Sequence, residues 1–138
     1  MLKKTITYED YNGNTVTEDY YFNLSKSEVI AMEAEAGDGY GDMLKRIVEE
    51  KNIPMMLKTF RTFIVKSVGE KSEDGKHFRK SEQFAKDFED SAAYDALFSE
   101  LCMDATAASD FISGILPLDN EQRKEMLAQA RAEIAKSS

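Results

Sequence analysis

The sequence predicts a small α+β domain, mostly α, in which an N-terminal antiparallel β-hairpin precedes five to seven short helices. Polar and apolar residues alternate around an Asn-Gly pair, which indicates the hairpin, and capping residues precede apolar stripes, which indicates the helices. The chain has 138 residues, 42% of them hydrophobic, which is enough to form one core. We therefore expect a single domain over 1–138, made of the hairpin (1–23), a helical body (24–118) and a C-terminal helix and tail (119–138).

Residues 3–22 alternate in the way typical of two paired strands. Ile6 would lie on the inward face of the first strand, and Tyr20 and Phe22 on that of the second. Asn12-Gly13 between them accepts positive φ at both positions of a two-residue turn. Because a two-stranded hairpin alone is only marginally stable in water, its apolar face must pack on helices or on another chain.

The helices are predicted from their start and stop signals. Ser25 and Glu28 have the spacing of a capping box, so a first helix follows and stops before the glycine-rich loop 37–41. Asp42 caps a second helix, and Pro54 opens a third. Four later N-caps predict the remaining helices: Ser81, Ser91, Asp104 and, for the last one, either Asp119 or Asn120.

The third helix is predicted to run from Pro54 to Val68 with a buried stripe on one side. Its apolar residues recur at helical spacing, at Leu57, Phe60, Ile64 and Val68. Segment 69–80, rich in glycine and charged residues, is predicted to be an exposed polar connector.

The inventory of reactive residues favours a protein without a catalytic or metal site. With one cysteine and one histidine, a Cys/His zinc site within one chain is excluded. Cys102 lies on an apolar helical stripe and is better explained as a small core residue, and His77 lies in a polar segment. The acidic loop 38–42 lacks the ligand spacing of an EF-hand. We expect no enzyme activity and no cofactor.

Charge is the strongest bias of the composition. The net charge of −8 argues against binding to nucleic acid or to an anionic membrane, and no apolar run is as long as the ~18 residues of a membrane span. We expect a soluble intracellular protein.

Segment 53–69 carries a net +3, whereas segment 82–110 has one lysine against eight acidic residues. These two blocks should attract each other, within the chain or between neighbouring chains.

Four segments stand together in an order that is familiar from one protein family. They are YEDYNG (8–13), YFNLSKSE (21–28), KSVGEKSEDGKHFRKS (66–81) and FISGILP (111–117). Over about residues 6–118 the chain resembles the tail assembly chaperones of long-tailed (siphovirus-type) phages that infect Gram-positive bacteria. An aromatic residue often stands in that family where this chain has Val68.

The resemblance implies a non-catalytic morphogenesis factor in the cytoplasm of the host bacterium, absent from the mature virion. Such chaperones keep the tape measure protein soluble and help to recruit tail tube subunits, and this chain would be the shorter of two forms made by translational frameshifting. On this interpretation, Met56, Phe60 and Phe63 of the third helix, with Tyr20 and Phe22 of the hairpin, are the candidate partner contacts. The charge blocks could support self-association.

Two other functions remain open from the sequence. The chain could be a structural head–tail connector or tail completion protein, in which case it would be found in purified particles. It could also be an acidic inhibitor that mimics DNA and occupies a host enzyme, with the acidic residues of segment 82–110 in place of phosphates. Capture of a DNA-binding enzyme from host lysate would favour that alternative.

Overall fold

The computed structural model describes residues 1–36 and 53–137, and it confirms an α+β fold with an N-terminal antiparallel hairpin. In these residues six helices and a second, short hairpin follow the first. The second predicted helix, which would begin at Asp42, and the glycine-rich loop before it lie outside the described residues. In chain order the elements are β1 (Leu2–Glu9), β2 (Thr15–Phe22), α1 (Lys26–Ala36), α2 (Ile53–Ser67), β3 (Val68–Lys71), β4 (Phe78–Arg79), α3 (Glu82–Glu89), α4 (Ala92–Met103), α5 (Ala105–Ile115) and α6 (Asn120–Ser137).

The four strands form one antiparallel sheet in the order β1-β2-β3-β4. β1 pairs with β2 along its full length, from Leu2 opposite Phe22 to Glu9 opposite Thr15. Two residue pairs join β2 to β3, and two join β3 to β4. In the part of the chain that the structure describes, β1 is therefore a long strand at one edge of the sheet.

The turn between β1 and β2 is longer than predicted. The N–H of Gly13 donates to the carbonyl of Asp10 (3.0 Å), and the N–H of Asp10 donates to the carbonyl of Asn14 (2.8 Å), which leaves a three-residue connection. Gly13 has φ +83°, in the left-handed region. The carboxylate of Asp10 accepts the N–H groups of Asn12 and Asn14, both at 2.9 Å. The predicted two-residue turn is wrong because this side chain stabilises the longer connection.

The prediction that segment 69–80 is a polar connector is also wrong, because this segment forms most of the second hairpin. Its turn is closed by the N–H of Ser72, which donates to the carbonyl of His77 (2.9 Å). The hydroxyl of Ser72 donates to Asp74 (2.6 Å) and accepts the N–H of His77 (3.0 Å). β3 begins at Val68, immediately after α2, because pairing with β2 takes the backbone at the end of the helix into the sheet.

The core lies between one face of the sheet and helices α2 to α5, which confirms that the first hairpin packs on helices. Leu57 is an exception to the predicted stripe of α2, because its side chain is 36% exposed. The core residues contributed by the helices are Phe60, Phe63, Ile64, Phe88, Ala93, Leu97, Leu101, Ala108, Phe111, Ile112 and Ile115.

The predicted N-cap side chains that lie in the described residues are confirmed, whereas Asp42 lies outside them. Ser25 and Glu28 form a reciprocal capping box, in which each side chain accepts the other residue's backbone N–H. The side chain of Asp104 accepts two backbone N–H groups at the start of α5. Ser81, Ser91 and Asp119 each accept one N–H at the starts of α3, α4 and α6.

Candidate partner-binding groove

A groove of about 650 Å³ runs between α1, α2 and α3 and is open to solvent. Small and apolar side chains form one part of its lining, here called the floor, and charged side chains of both signs form the other part, here called the rim. The floor contains Ala31, Met32, Val65, Val68 and Ala85, and the rim contains Glu28, Arg61, Lys66, Lys80, Glu82, Lys86 and Glu89. We refer to these residues as the groove.

One ion pair in the lining of the groove joins α1 to Lys80, two residues before α3. The ammonium of Lys80 donates to the carboxylate of Glu28 at 2.6 Å, and both side chains are partly buried. Burial would by itself raise the pKa of Glu28. The hydrogen bonds from Lys80 and from the backbone of Ser25, together with the positive charge of Lys80, outweigh burial and hold the pKa below its ordinary value.

This ion pair makes the stability of the fold depend on pH on the acid side. Because the pKa of Glu28 is lower in the folded chain than its ordinary 4.5, the pair stabilises the folded state at neutral pH. That stabilisation is lost as the pH falls from the ordinary value through the lower folded value. We therefore expect Glu28→Gln, which can keep the capping box, to lose less unfolding free energy than the wild type between neutral pH and about pH 3 in urea titrations.

Glu73→Gln is the matched control for this prediction. Glu73 is exposed in the turn of the second hairpin, so the control should retain the pH dependence of the wild type. Equal losses in Glu28→Gln and the wild type would contradict the role assigned to the Glu28–Lys80 pair.

A second ion pair in the lining of the groove joins α2 to α3. The guanidinium of Arg61 lies 3.0 Å from the carboxylate of Glu89. The ammonium of Lys86 donates a hydrogen bond to the carboxylate of Asp90 (3.0 Å), and this bond raises the pKa of the lysine. The Arg61–Glu89 contact confirms, within one chain, the predicted attraction between the basic and acidic blocks.

Exposed apolar residues extend the groove along α2. Leu57 and Ile53 stand one and two turns before Arg61 at four-residue spacing, and Val65 follows one turn after it, so the four residues follow one side of the helix. Ile53 is 60% exposed and Leu57 is 36% exposed. An apolar partner could contact these two side chains together with the floor of the groove.

The candidate contacts named from the sequence lie mainly elsewhere. Phe22, Phe60 and Phe63 are buried in the core, and Met56 is half-buried against it. Tyr20 is also half-buried, with its ring 4.8 Å from that of Phe88. Helical periodicity marks an apolar stripe without showing what covers it, so these residues were indistinguishable from partner contacts in the sequence.

Tyr20 and Tyr8 belong to a polar cluster on the inward face of the hairpin. Both hydroxyls donate to the carboxylate of Glu18, at 2.8 and 2.9 Å. Burial, and then the hydrogen bond with Glu18, raises the pKa of Tyr20 far above its ordinary range. Tyr20 is therefore a neutral hydrogen-bond donor that stabilises the sheet.

The reactive side chains considered in the sequence are not brought into a catalytic arrangement. Cys102 is half-buried against the core, and burial raises the pKa of its thiol, which disfavours the thiolate. His77 is exposed in the turn of the second hairpin. Among the described residues, no cluster of metal-ligating side chains is found and no helix is long and apolar enough to cross a membrane.

Comparison with known proteins agrees with the resemblance found in the sequence. A family model described as "Phage tail assembly chaperone" matches residues 1–137. No curated protein and no solved structure matches the chain. Because the family model spans nearly the whole sequence, the chain belongs to the phage tail assembly chaperone family.

Proposed function

We propose that the protein binds the tape measure protein of its phage, keeps it soluble, and helps to recruit tail tube subunits around it, acting by binding alone. The observation that carries this proposal is the groove, which has an apolar floor and a charged rim in a member of the tail assembly chaperone family. We place this activity in the host cytoplasm, before tail completion, and expect no chaperone in the finished virion.

The shape and chemistry of the groove favour a helical segment as its ligand. An amphipathic helix can bury its apolar side in such a groove while its polar flanks remain at the rim. Met32 in the floor is flexible and adapts to side chains of different shape. A rim with both signs of charge can align a helix that carries both acidic and basic residues.

The exposed extension of α2 suits a long ligand. Ile53 and Leu57 add apolar area beyond the groove. A tape measure helix that covers both would hide its own apolar residues from other chains. Several chaperone molecules along one tape measure would reduce its aggregation in this way.

Co-expression with the tape measure protein tests the proposal. Ala31 is exposed on α1 and lines the groove, so Ala31→Trp should fill the groove without disturbing the core. We expect the wild type to keep the tape measure protein in the soluble fraction and to co-purify with it. Ala31→Trp should lower the apparent affinity about tenfold or more.

Ala128→Trp is the control, since Ala128 is an exposed alanine of α6 and does not line the groove. It should bind like the wild type, and circular dichroism should show that both variants are folded. An insoluble tape measure protein beside the wild-type chaperone would refute the function. Equal binding by the two tryptophan variants would refute the role of the groove.

A further inference from the structure

The outer edge of β1 has the features of a pairing surface. The strand has eight residues, it contains no proline, and its register with β2 is continuous, without a bulge. Such interruptions are common devices that prevent an edge strand from pairing with another chain. Lys4, the one charged side chain that β1 turns inward, is paired with Glu100 at 3.0 Å.

The hairpin geometry determines which backbone groups point to this edge. Asp10 donates its N–H to Asn14 across the hairpin. Hydrogen-bonded and non-hydrogen-bonded pairs alternate along an antiparallel ladder. Because Asp10 is bonded across the hairpin, the odd-numbered residues before it direct their N–H and C=O groups away from β2. Within β1 these residues are Glu9, Thr7, Thr5 and Lys3.

We propose that a second copy of the protein pairs with this edge, antiparallel, about a two-fold axis at Ile6. In this register Lys3 stands opposite Glu9 of the second copy, and Thr5 stands opposite Thr7. The four residues with outward backbone groups are then all hydrogen-bonded to the same four residues of the other chain. The result is a dimer in which the two sheets are continuous.

Charge complementarity favours a second copy over an unrelated peptide. The two-fold axis creates the Lys3–Glu9 pair twice, because the same surface is used on both chains. Opposite charges directly across a ladder stabilise it. Lys3 already lies 3.5 Å from Asp19 on the same exposed face of the sheet, so the dimer would place it between two carboxylates.

The outer edge of β2 lacks this complementarity. β3 pairs with only Tyr21 and Phe22, so Thr15, Thr17 and Asp19 are not covered by it. A two-fold axis at Thr17 would place Asp19 opposite Thr15, with no pair of opposite charges. The geometry therefore points to β1 as the dimer edge.

Two proline variants provide a matched test by sedimentation velocity over a range of concentrations. Thr7 and Thr17 are cross-strand partners whose hydroxyls are 3.0 Å apart, so either substitution removes the same hydrogen bond. The backbone N–H groups of Thr7 and Thr17 make no hydrogen bond between β1 and β2, so proline at either position leaves that pairing intact. Thr7→Pro blocks the proposed edge and should raise the dissociation constant of the dimer about tenfold or more, whereas Thr17→Pro should dimerise like the wild type.

Charge reversal tests the register independently, and it decides the outcome if a proline variant does not fold. Glu9→Lys should weaken the dimer about tenfold, because it places two like-charged pairs at the interface. The double variant Lys3→Glu/Glu9→Lys should recover dimerisation.

A wild type that is monomeric up to its solubility limit would overturn the proposal. Dimerisation that is insensitive to both Thr7→Pro and Glu9→Lys would overturn the assignment of the edge. Neither result would bear on binding in the groove.

Discussion

Replacing Phe22 with alanine is expected to lower the free energy of unfolding by about 3–5 kcal/mol, a large fraction of the stability of a domain of this size. The side chain is completely buried at the end of β2. Its ring meets those of Phe111 at 5.2 Å and Phe88 at 5.8 Å, both edge to face, so it joins the sheet to α5 and α3. Urea denaturation followed by circular dichroism would measure the loss.

Tyr11→Ala is the control for this substitution. Tyr11 is 83% exposed in the turn of the same hairpin, so its truncation should change the unfolding free energy by less than about 0.5 kcal/mol. Similar losses in the two variants would show that the position of Phe22 between the sheet and the helices is not what stabilises the domain.

Gly69→Ala is expected to destabilise the fold by about 1–3 kcal/mol, mainly by disturbing the second hairpin. A Cβ atom at this position would lie 2.8 Å from the carbonyl oxygen of Arg79 and 2.8 Å from the ring of Phe78. Both neighbours belong to β4, and the carbonyl cannot retreat without moving the strand away from β3. Urea denaturation would give the loss, and hydrogen exchange would localise it to β3 and β4.

Gly114→Ala separates this close contact from a general effect of replacing glycine. Gly114 lies in α5, and a Cβ atom there would meet the flexible side chain of Leu2 at 3.1 Å. Alanine also favours the helix by about 1 kcal/mol, so the net change should be small. If both alanine variants are as stable as the wild type, the packing of β4 against Gly69 is contradicted.

Sequence reasoning succeeded where the signal is local. The capping residues Ser25, Ser81 and Asp104 act within one helical turn, so their spacing alone located the starts of three helices. β3 and β4 were missed because they have four and two residues, mostly polar or charged. Their pairing depends on the outer edge of β2, almost fifty residues earlier in the chain, and no pattern within segment 69–80 indicates it.

The groove could not be predicted for a related reason. Its walls come from three helices distant in sequence, and its floor includes small residues such as Ala31 and Ala85 that carry little periodic signal. The stripe of α2 correctly identified Phe60 and Ile64 as apolar contacts but did not show that the core covers them. Which side of an amphipathic helix remains open is decided by the packing of the other helices.

β1 and α4 are in contact but lie far apart in the sequence, which has a consequence for synthesis on the ribosome. Lys4 contacts Glu100 across 96 positions, and α4 packs on β1. At 5–20 residues per second, roughly 4–16 s pass between translation of the first hairpin and translation of that helix. A hairpin forms within about 10 μs but is only marginally stable alone, so during this interval the apolar residues of the nascent hairpin are not covered by α4. These residues can therefore take part in aggregation during translation, before the finished chaperone exists.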